Sequence, residues 1–309
     1  MVEQFHKPTT VQEALSLKRR LATRAVFLAG GTLANAKDCP VRPEHWISLA
    51  GLKLDRIDLR RGDLIIGALC TLQRLIEDAR TPEPLRAAAA QIMSRNVRNM
   101  ATVGGHVAAN LPYSDLIPML IALGAKVELP GPRVTKTVSI LDYITTGTTS
   151  STASGARFKA TSGCPAGCDA GCPSGCSLTV TSGKTRLITR IVVPRLDRRR
   201  LAACGNVRGS ANARSLLSAA VSLTPTDDGI QDPIIALAGV GRHAVRLTSA
   251  EKALNGKPLP PIDRLAAMIS RCVRPTSTPF ASAPYIKHQA GVAVALAFQK
   301  ALRPDGGRR

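Results

Sequence analysis

Two glycine doublets constrain this chain more than any other feature. Ala29-Gly30-Gly31-Thr32 follows the apolar run Val26-Phe27-Leu28, and Ala101-Thr102-Val103-Gly104-Gly105 follows Ser94-Arg95-Asn96-Val97-Arg98-Asn99. A residue without Cβ lets backbone N–H groups turn toward a phosphate at close range. One doublet alone is an ordinary turn in most proteins. The pair, in this context, directs the reading toward two loops closing on one phosphorylated cofactor. The G-x-G-x-x-G of a Rossmann dinucleotide site is absent, and Gly239-Val240-Gly241 lacks the third glycine and reads as a turn.

The surrounding pattern alternates between helices and strands. Thr10-Val11-Gln12-Glu13 has the form of a capping box, which opens a helix reaching about Arg20 and leading into a strand at Val26 to Leu28. The first glycine loop then sits at a strand end, where α/β proteins commonly bind ligands. Leu64 to Ala68 reads as a strand, Thr71 caps a helix through Glu77, and a further helix runs from Pro84 to Ser94. Ser114 or Asp115 caps a helix from Leu116 to Leu123, with Pro118 in its first turn, and Lys126 to Leu129 forms a short strand. Further along, Ala236 to Arg246 reads as strand and turn, Thr248 to Gly256 as a capped helix, and Pro284 to Leu302 as the last long helix. Such alternation excludes a helical bundle or a sandwich.

Composition narrows the function classes. The 309 residues are enough for two cores, and the hydrophobic fraction of 44% is that of a soluble globular protein. No signal-peptide pattern opens the chain, and its longest apolar run, 290–298, is far short of the roughly 20 residues that span a bilayer, so a cytoplasmic protein is expected. The formal charge of +21 raises nucleic-acid binding, but the cations are scattered, and one Trp, three Tyr and five Phe are too few for a stacking platform. A basic face for an acidic partner subunit, or plain composition bias, accounts for the charge at lower cost. His6, His45, His106, His243 and His288 show no ligand spacing, and no nucleophile elbow is present. His106, after the second doublet, reads as structural rather than cofactor-lining.

Residues 145–184 change abruptly to Thr, Ser, Gly, Ala and Cys, too poor in apolar surface to form a core, and read as an insertion. Cys164, Cys168, Cys172 and Cys176 recur there at a C-x3-C spacing. Four thiols can ligate zinc or an iron–sulfur cluster. The alternative is a low-complexity loop with unligated thiols, and that is the expectation adopted, since no neighbouring residue fixes a geometry.

The stretch Arg98-Asn99-Met100-Ala101-Thr102-Val103-Gly104-Gly105, preceded by the Ala29-Gly30-Gly31-Thr32 loop and followed by Asp115-Leu116-Ile117-Pro118-Met119-Leu120-Ile121-Ala122-Leu123, resembles the FAD-binding, or medium, subunit of the molybdenum hydroxylases. The type is that of xanthine and carbon monoxide dehydrogenases. The likeness runs from Glu3 to about Leu302, interrupted by the insertion, and is nearest to the FAD subunits that accompany selenium-dependent hydroxylases.

The resemblance implies an α+β protein with a two-lobed FAD-binding domain of the PCMH type over 1–197 and a smaller α+β C-terminal domain over 198–309. It implies FAD held by Ala29, Gly30, Gly31, Thr32, Leu33 and Ala34, joined by Ala101, Thr102, Val103, Gly104 and Gly105, with Asp115 near the adenosine end. The implied partners are a molybdopterin-binding large subunit and a 2Fe-2S small subunit, with NAD as one possible acceptor, and no side chain is assigned a catalytic role. The chain departs from the family pattern at Leu33, at Thr189-Arg190 and at Ala203, which stands where an aromatic residue is usual before Arg208. A subunit that has lost its flavin and serves as a scaffold is the alternative reading.

Overall fold

A computed structural model describes residues 3–34, 43–131, 134–146, 186–210, 213–278 and 280–303. The four clustered cysteines and all but Thr145 and Thr146 of the insertion lie outside them.

The first lobe comprises β1 (Gln4–His6), α1 (Val11–Leu21), β2 (Ala25–Leu28) and β3 (His45–Ser48). Its strands pair in parallel in the order β1-β3-β2. Thr10 caps α1 by accepting the Glu13 amide at 3.2 Å, while the Glu13 carboxylate takes the amide of Thr9 rather than closing a box on Thr10. Ala14 and Leu15 on the inner face of α1 pack with Ala25, Ile47 and Leu49.

A second lobe carries β4 (Ile57–Arg60), β5 (Asp63–Gly67), α2 (Leu72–Glu77), α3 (Glu83–Ala90), α4 (Arg95–Met100), α5 (Val103–Ala109) and α6 (Leu116–Ala122). It continues with β6 (Lys126–Leu129), β7 (Lys136–Ser139), α7 (Ile140–Thr146) and β8 (Arg190–Val193). The sheet runs β4-β5-β8-β6-β7, antiparallel throughout. The strand on the far side of the insertion therefore lies at its centre. Every residue of α6 is buried, and Ser114 caps this helix by accepting the Ile117 amide at 3.0 Å.

The third sheet, β12-β11-β10-β9, is formed by β9 (Leu201–Arg208), β10 (Ser215–Thr226), β11 (Gly229–Ala238) and β12 (Val245–Arg246). It is followed by α8 (Thr248–Leu254), α9 (Ile262–Cys272) and α10 (Ala283–Leu302). β10 shows no apolar and polar alternation because both of its faces are covered. Leu217, Ala219, Val221 and Leu223 join the core with α9 and α10, while Ala220 joins the core around α6. Ser222 donates its hydroxyl to the Ala122 carbonyl at the end of α6, at 2.5 Å. Small side chains on that face let a fully apolar helix lie on the sheet. The side-chain cap expected at the start of the Thr248 helix does not form: Thr248 makes no cap, and Glu251 instead accepts from the Ile235 amide and from Arg246. A buried amide on β11 and a neighbouring guanidinium outcompete the helix end.

Asp115, at the start of α6, ties the second and third sheets together. Its carboxylate accepts from Ser215 at 2.6 Å, Asn206 at 3.0 Å and Arg208 at 2.9 Å, and Arg208 also donates to the Gln91 carbonyl. Burial pushes the Asp115 carboxyl up, against the opposing pull of Ser215, Asn206 and the Arg208 charge. Removing one partner of a buried pair strands the other, at a cost of about 3–5 kcal/mol. Asp115→Ala is expected to lower the urea-unfolding free energy by about that amount. A loss below about 1 kcal/mol, the scale of an exposed pair, would show that the cluster does not hold the sheets together.

Candidate functional site

The two glycine doublets meet. Gly31, with φ +71°, turns the chain out of β2, and Gly30 lies against the backbone of the second segment. A Cβ on Gly30 would sit 1.7 Å from the Met100 carbonyl oxygen, so only glycine permits this approach.

The second doublet is not in a loop. Gly104 and Gly105 occupy the first turn of α5, which Thr102 caps by accepting the Gly105 amide at 3.1 Å. The amides of Ala101, Val103 and Gly104 donate to Val97, Cys70 and Ala68 carbonyls at 2.7, 2.9 and 2.9 Å. Within the protein, four of the five amides of this stretch, those of Ala101, Val103, Gly104 and Gly105, thus have partners of their own. Gly104 is needed because a Cβ there would lie 2.5 Å from the Ala68 Cβ and 2.7 Å from its carbonyl oxygen. Its absence lets α5 dock on the end of β5.

Arg98 sets the segment's position from behind. Its guanidinium donates to the Ala90, Ile92 and Met93 carbonyls, at and just beyond the end of α3, and to Gln73. A cation on carbonyls at a helix C-terminus is favourable both as hydrogen bonding and against the helix dipole.

Between the lobes lies a cleft of about 260 Å³, lined by Ala29, Gly30, Ala50, Lys53, Leu54, Asp55, Leu69 and Thr102. Small-molecule sites typically span about 300–1,000 Å³, so this volume suits part of a dinucleotide rather than the whole. Of the sequence-selected residues, Ala29, Gly30 and Thr102 line it. Gly31, Thr32, Leu33 and Ala34 continue from its rim, while Ala101, Val103, Gly104 and Gly105 form the wall behind Thr102. Asp115 is not part of its lining.

Lys53 escaped the sequence reading because no pattern marks it. It follows a single 3-10 turn at Ala50–Leu52 and adopts φ +51°, ψ +40°, a left-handed conformation. Asp55 is held by Arg74 at 2.9 Å, and among the described residues Lys53 makes no ion pair. An uncommitted cation beside close-packed backbone is a donor set that fits a pyrophosphate.

Among the described residues one group, Glu3, Glu44 and His45, has the mutual spacing of metal ligands, which histidine spacing in the sequence did not reveal. Arg24 already occupies it, bonded to Glu44 at 2.5 Å and to the His45 ring at 2.9 Å.

Comparison with known proteins accords with this geometry. Residues 1–156 match the FAD binding domain in molybdopterin dehydrogenase, and residues 205–301 match the CO dehydrogenase flavoprotein C-terminal domain. The chain belongs to the FAD-binding subunits of the molybdenum hydroxylases. It is 33% identical to the uncharacterized protein YgfM of Escherichia coli K12, over 96% of this chain and 95% of that one. It is also 26% identical to the carbon monoxide dehydrogenase medium chain of Afipia carboxidovorans, over 96% of each. Among solved structures, the reconstituted CO dehydrogenase from Oligotropha carboxidovorans superposes with a TM-score of 0.78 at 25% identity, covering 97% of this chain and 98% of that one. The CO dehydrogenase of Hydrogenophaga pseudoflava shares the fold, with a TM-score of 0.79 at 24% identity over 97% of each chain. FAD is thus the family cofactor, and the chain is an oxidoreductase subunit.

His106, on α5, has its Nε2 2.7 Å from the Ser114 hydroxyl. Burial holds its pKa down to about 4. Between about pH 4 and 6.5 the unfolded chain binds a proton at this residue that the folded one does not, so stability rises with pH across that window and is lost as pH falls through it. The expected loss is about 3 kcal/mol by pH 4. His106→Gln should remove that part of the acid slope in urea titrations made at pH 7, 5.5 and 4; parallel slopes in the two proteins would contradict the assignment.

Proposed function

We propose that this chain holds one FAD across the cleft between its first two lobes and relays electrons to it from an iron–sulfur partner. Bound FAD supplies the chemistry of collecting electrons singly and releasing them in pairs, to NAD⁺ or another acceptor. The observation that carries the reading is the contact between Gly30 and Met100, which builds one cleft out of two glycine-bearing segments far apart in sequence.

The protein's part is position and electrostatics. Ala29, Gly30, Gly31, Thr32, Leu33 and Ala34 present backbone along one side, and Thr102 stands opposite them, held in place by Ala101, Val103, Gly104 and Gly105. Lys53 balances phosphate charge. Asp115 acts one layer away, keeping the third sheet against α6, so that the FAD-binding domain, 1–197, and the C-terminal domain, 198–309, form one support. The end of β8 at Val193 and the start of β9 at Leu201 favour that division.

The partners proposed are a molybdopterin-binding large subunit and a 2Fe-2S small subunit. Relatives named carbon monoxide dehydrogenase medium chain and xanthine dehydrogenase FAD-binding subunit support this choice, the latter 33% identical over 46% of this chain. Among the described residues no helix is long and apolar enough to cross a membrane, in keeping with work in the cytoplasm.

Purification followed by a visible spectrum tests the reading. A flavin doublet with close to one FAD per chain is expected, bleached on mixing with the reduced iron–sulfur subunit. A colourless, folded protein that takes up no added FAD would replace the relay with the scaffold reading.

A further inference from the structure

A second cavity, about 520 Å³ against the 260 Å³ of the flavin cleft and sharing no residue with it, opens where the end of α6 and the segment after β8 meet β11 and α8. We infer that it is a binding site for a nucleoside phosphate, with the phosphate on Arg200, Arg246 and Lys252 and the base on the apolar floor. Leu123, Leu196 and Ile234 supply that floor.

Charge decides the ligand class. Arg200 is half-buried, yet among the described residues its guanidinium donates only to neutral oxygens, the Ser222 hydroxyl at 2.8 Å and the Asp232 carbonyl at 3.0 Å. Among the described residues it makes no ion pair. A cation taken partly out of water with no carboxylate bonded to it is costly, and an anion is the group that relieves it; the exposed Asp232 carboxylate also lines the cavity and offsets one of its four cations. Burial, and the Arg246 charge nearby, pull Arg200 below the usual arginine value, whereas the Asp232 carboxylate acts the other way. Arg246 is paired with Glu251 through Nε, and Glu251 is further engaged by the Ile235 amide, so this carboxylate is committed within the protein. Asp197 accepts from the Arg199 amide. Lys252 and Arg195 add two more cations to the lining, and neither makes an ion pair among the described residues.

Shape agrees with charge. The volume falls within the range of small-molecule sites, and a lining that combines cations with aliphatic carbons suits a phosphate joined to a flat ring. Its walls come from the end of α6 and the segment after β8 on one side and from β11, β12 and α8 on the other, so a ligand there would bridge α6 and the third sheet, which Asp115 also ties together.

The test is isothermal calorimetry on the chain loaded with FAD and cleared of excess, titrated with ADP and, separately, with inorganic phosphate at constant ionic strength. Saturable binding of one ADP is expected, at least about tenfold tighter than phosphate. The affinity should fall at least about tenfold in Arg200→Gln and in Lys252→Gln, and stay unchanged in Arg271→Gln. Lys252 lies exposed on α8, its side chain making no hydrogen bond among the described residues, so that variant keeps the test valid should Arg200→Gln fail to fold. Absence of saturable heat, or unchanged affinity in Lys252→Gln, would overturn the site. A loss in Lys53→Glu in place of Lys252→Gln would put the ADP in the flavin cleft and overturn it equally. Phosphate binding as tightly as ADP would overturn the nucleoside assignment.

Discussion

The contact between Gly30 and the Met100 carbonyl joins a small parallel sheet, with its own core around Ile47, to a larger antiparallel one centred on β5 and β8. The two cores have separate buried side chains, and at the seam between them the backbone of Gly30 meets that of Met100 while Leu54 and Leu69 pack against the first lobe's core. Backbone seams tolerate no extra carbon, since a methyl group at Gly30 would have to occupy the space of a carbonyl oxygen. The cleft proposed for FAD is the concave edge of this seam. Its geometry therefore follows from close packing rather than from a loop free to wrap its ligand.

The third sheet depends on a different device. It presents small residues to α6 and large ones to α10, so one strand serves two cores. Apolar contact alone would leave α6 free to slide on so smooth a face. Two polar ties fix it, Asp115 with Ser215, Asn206 and Arg208 at the start of the helix, and Ser222 on the Ala122 carbonyl at its end. A buried network of this kind specifies position when all of its members are satisfied.

Much of this was legible in the sequence, in the places where local chemistry decides. The Thr71 cap and its helix to Glu77, the Ser114 cap before Leu116, the turn at Gly239 and the helix ending at Leu302 all rest on short-range signals. Motif residues gave the family and three of the residues lining the cleft. What escaped depends on partners distant in the chain. β10 was hidden because burial on both faces erases alternation, and α5 because two glycines argue against helix until Ala68 is seen to require Gly104 and the Thr102 hydroxyl to crowd Gly105. Asp115 could not be assigned its clamp, since Ser215 lies a hundred residues away. Lys53 is an ordinary lysine until the fold places it beside Gly30 and Thr102.

The central claim is that this seam, with Lys53 at its edge, carries the charged middle of FAD. Its most direct measurement is the FAD dissociation constant of Lys53→Glu beside the unchanged chain, by quenching of flavin fluorescence at two salt concentrations, with thermal melting as the control for folding. Reversing one exposed charge next to a pyrophosphate should weaken binding at least about tenfold at low salt, with a smaller difference at high salt and an unaltered melting temperature. Equal affinity in the two proteins, at both salt concentrations, would contradict the placement of FAD in this cleft.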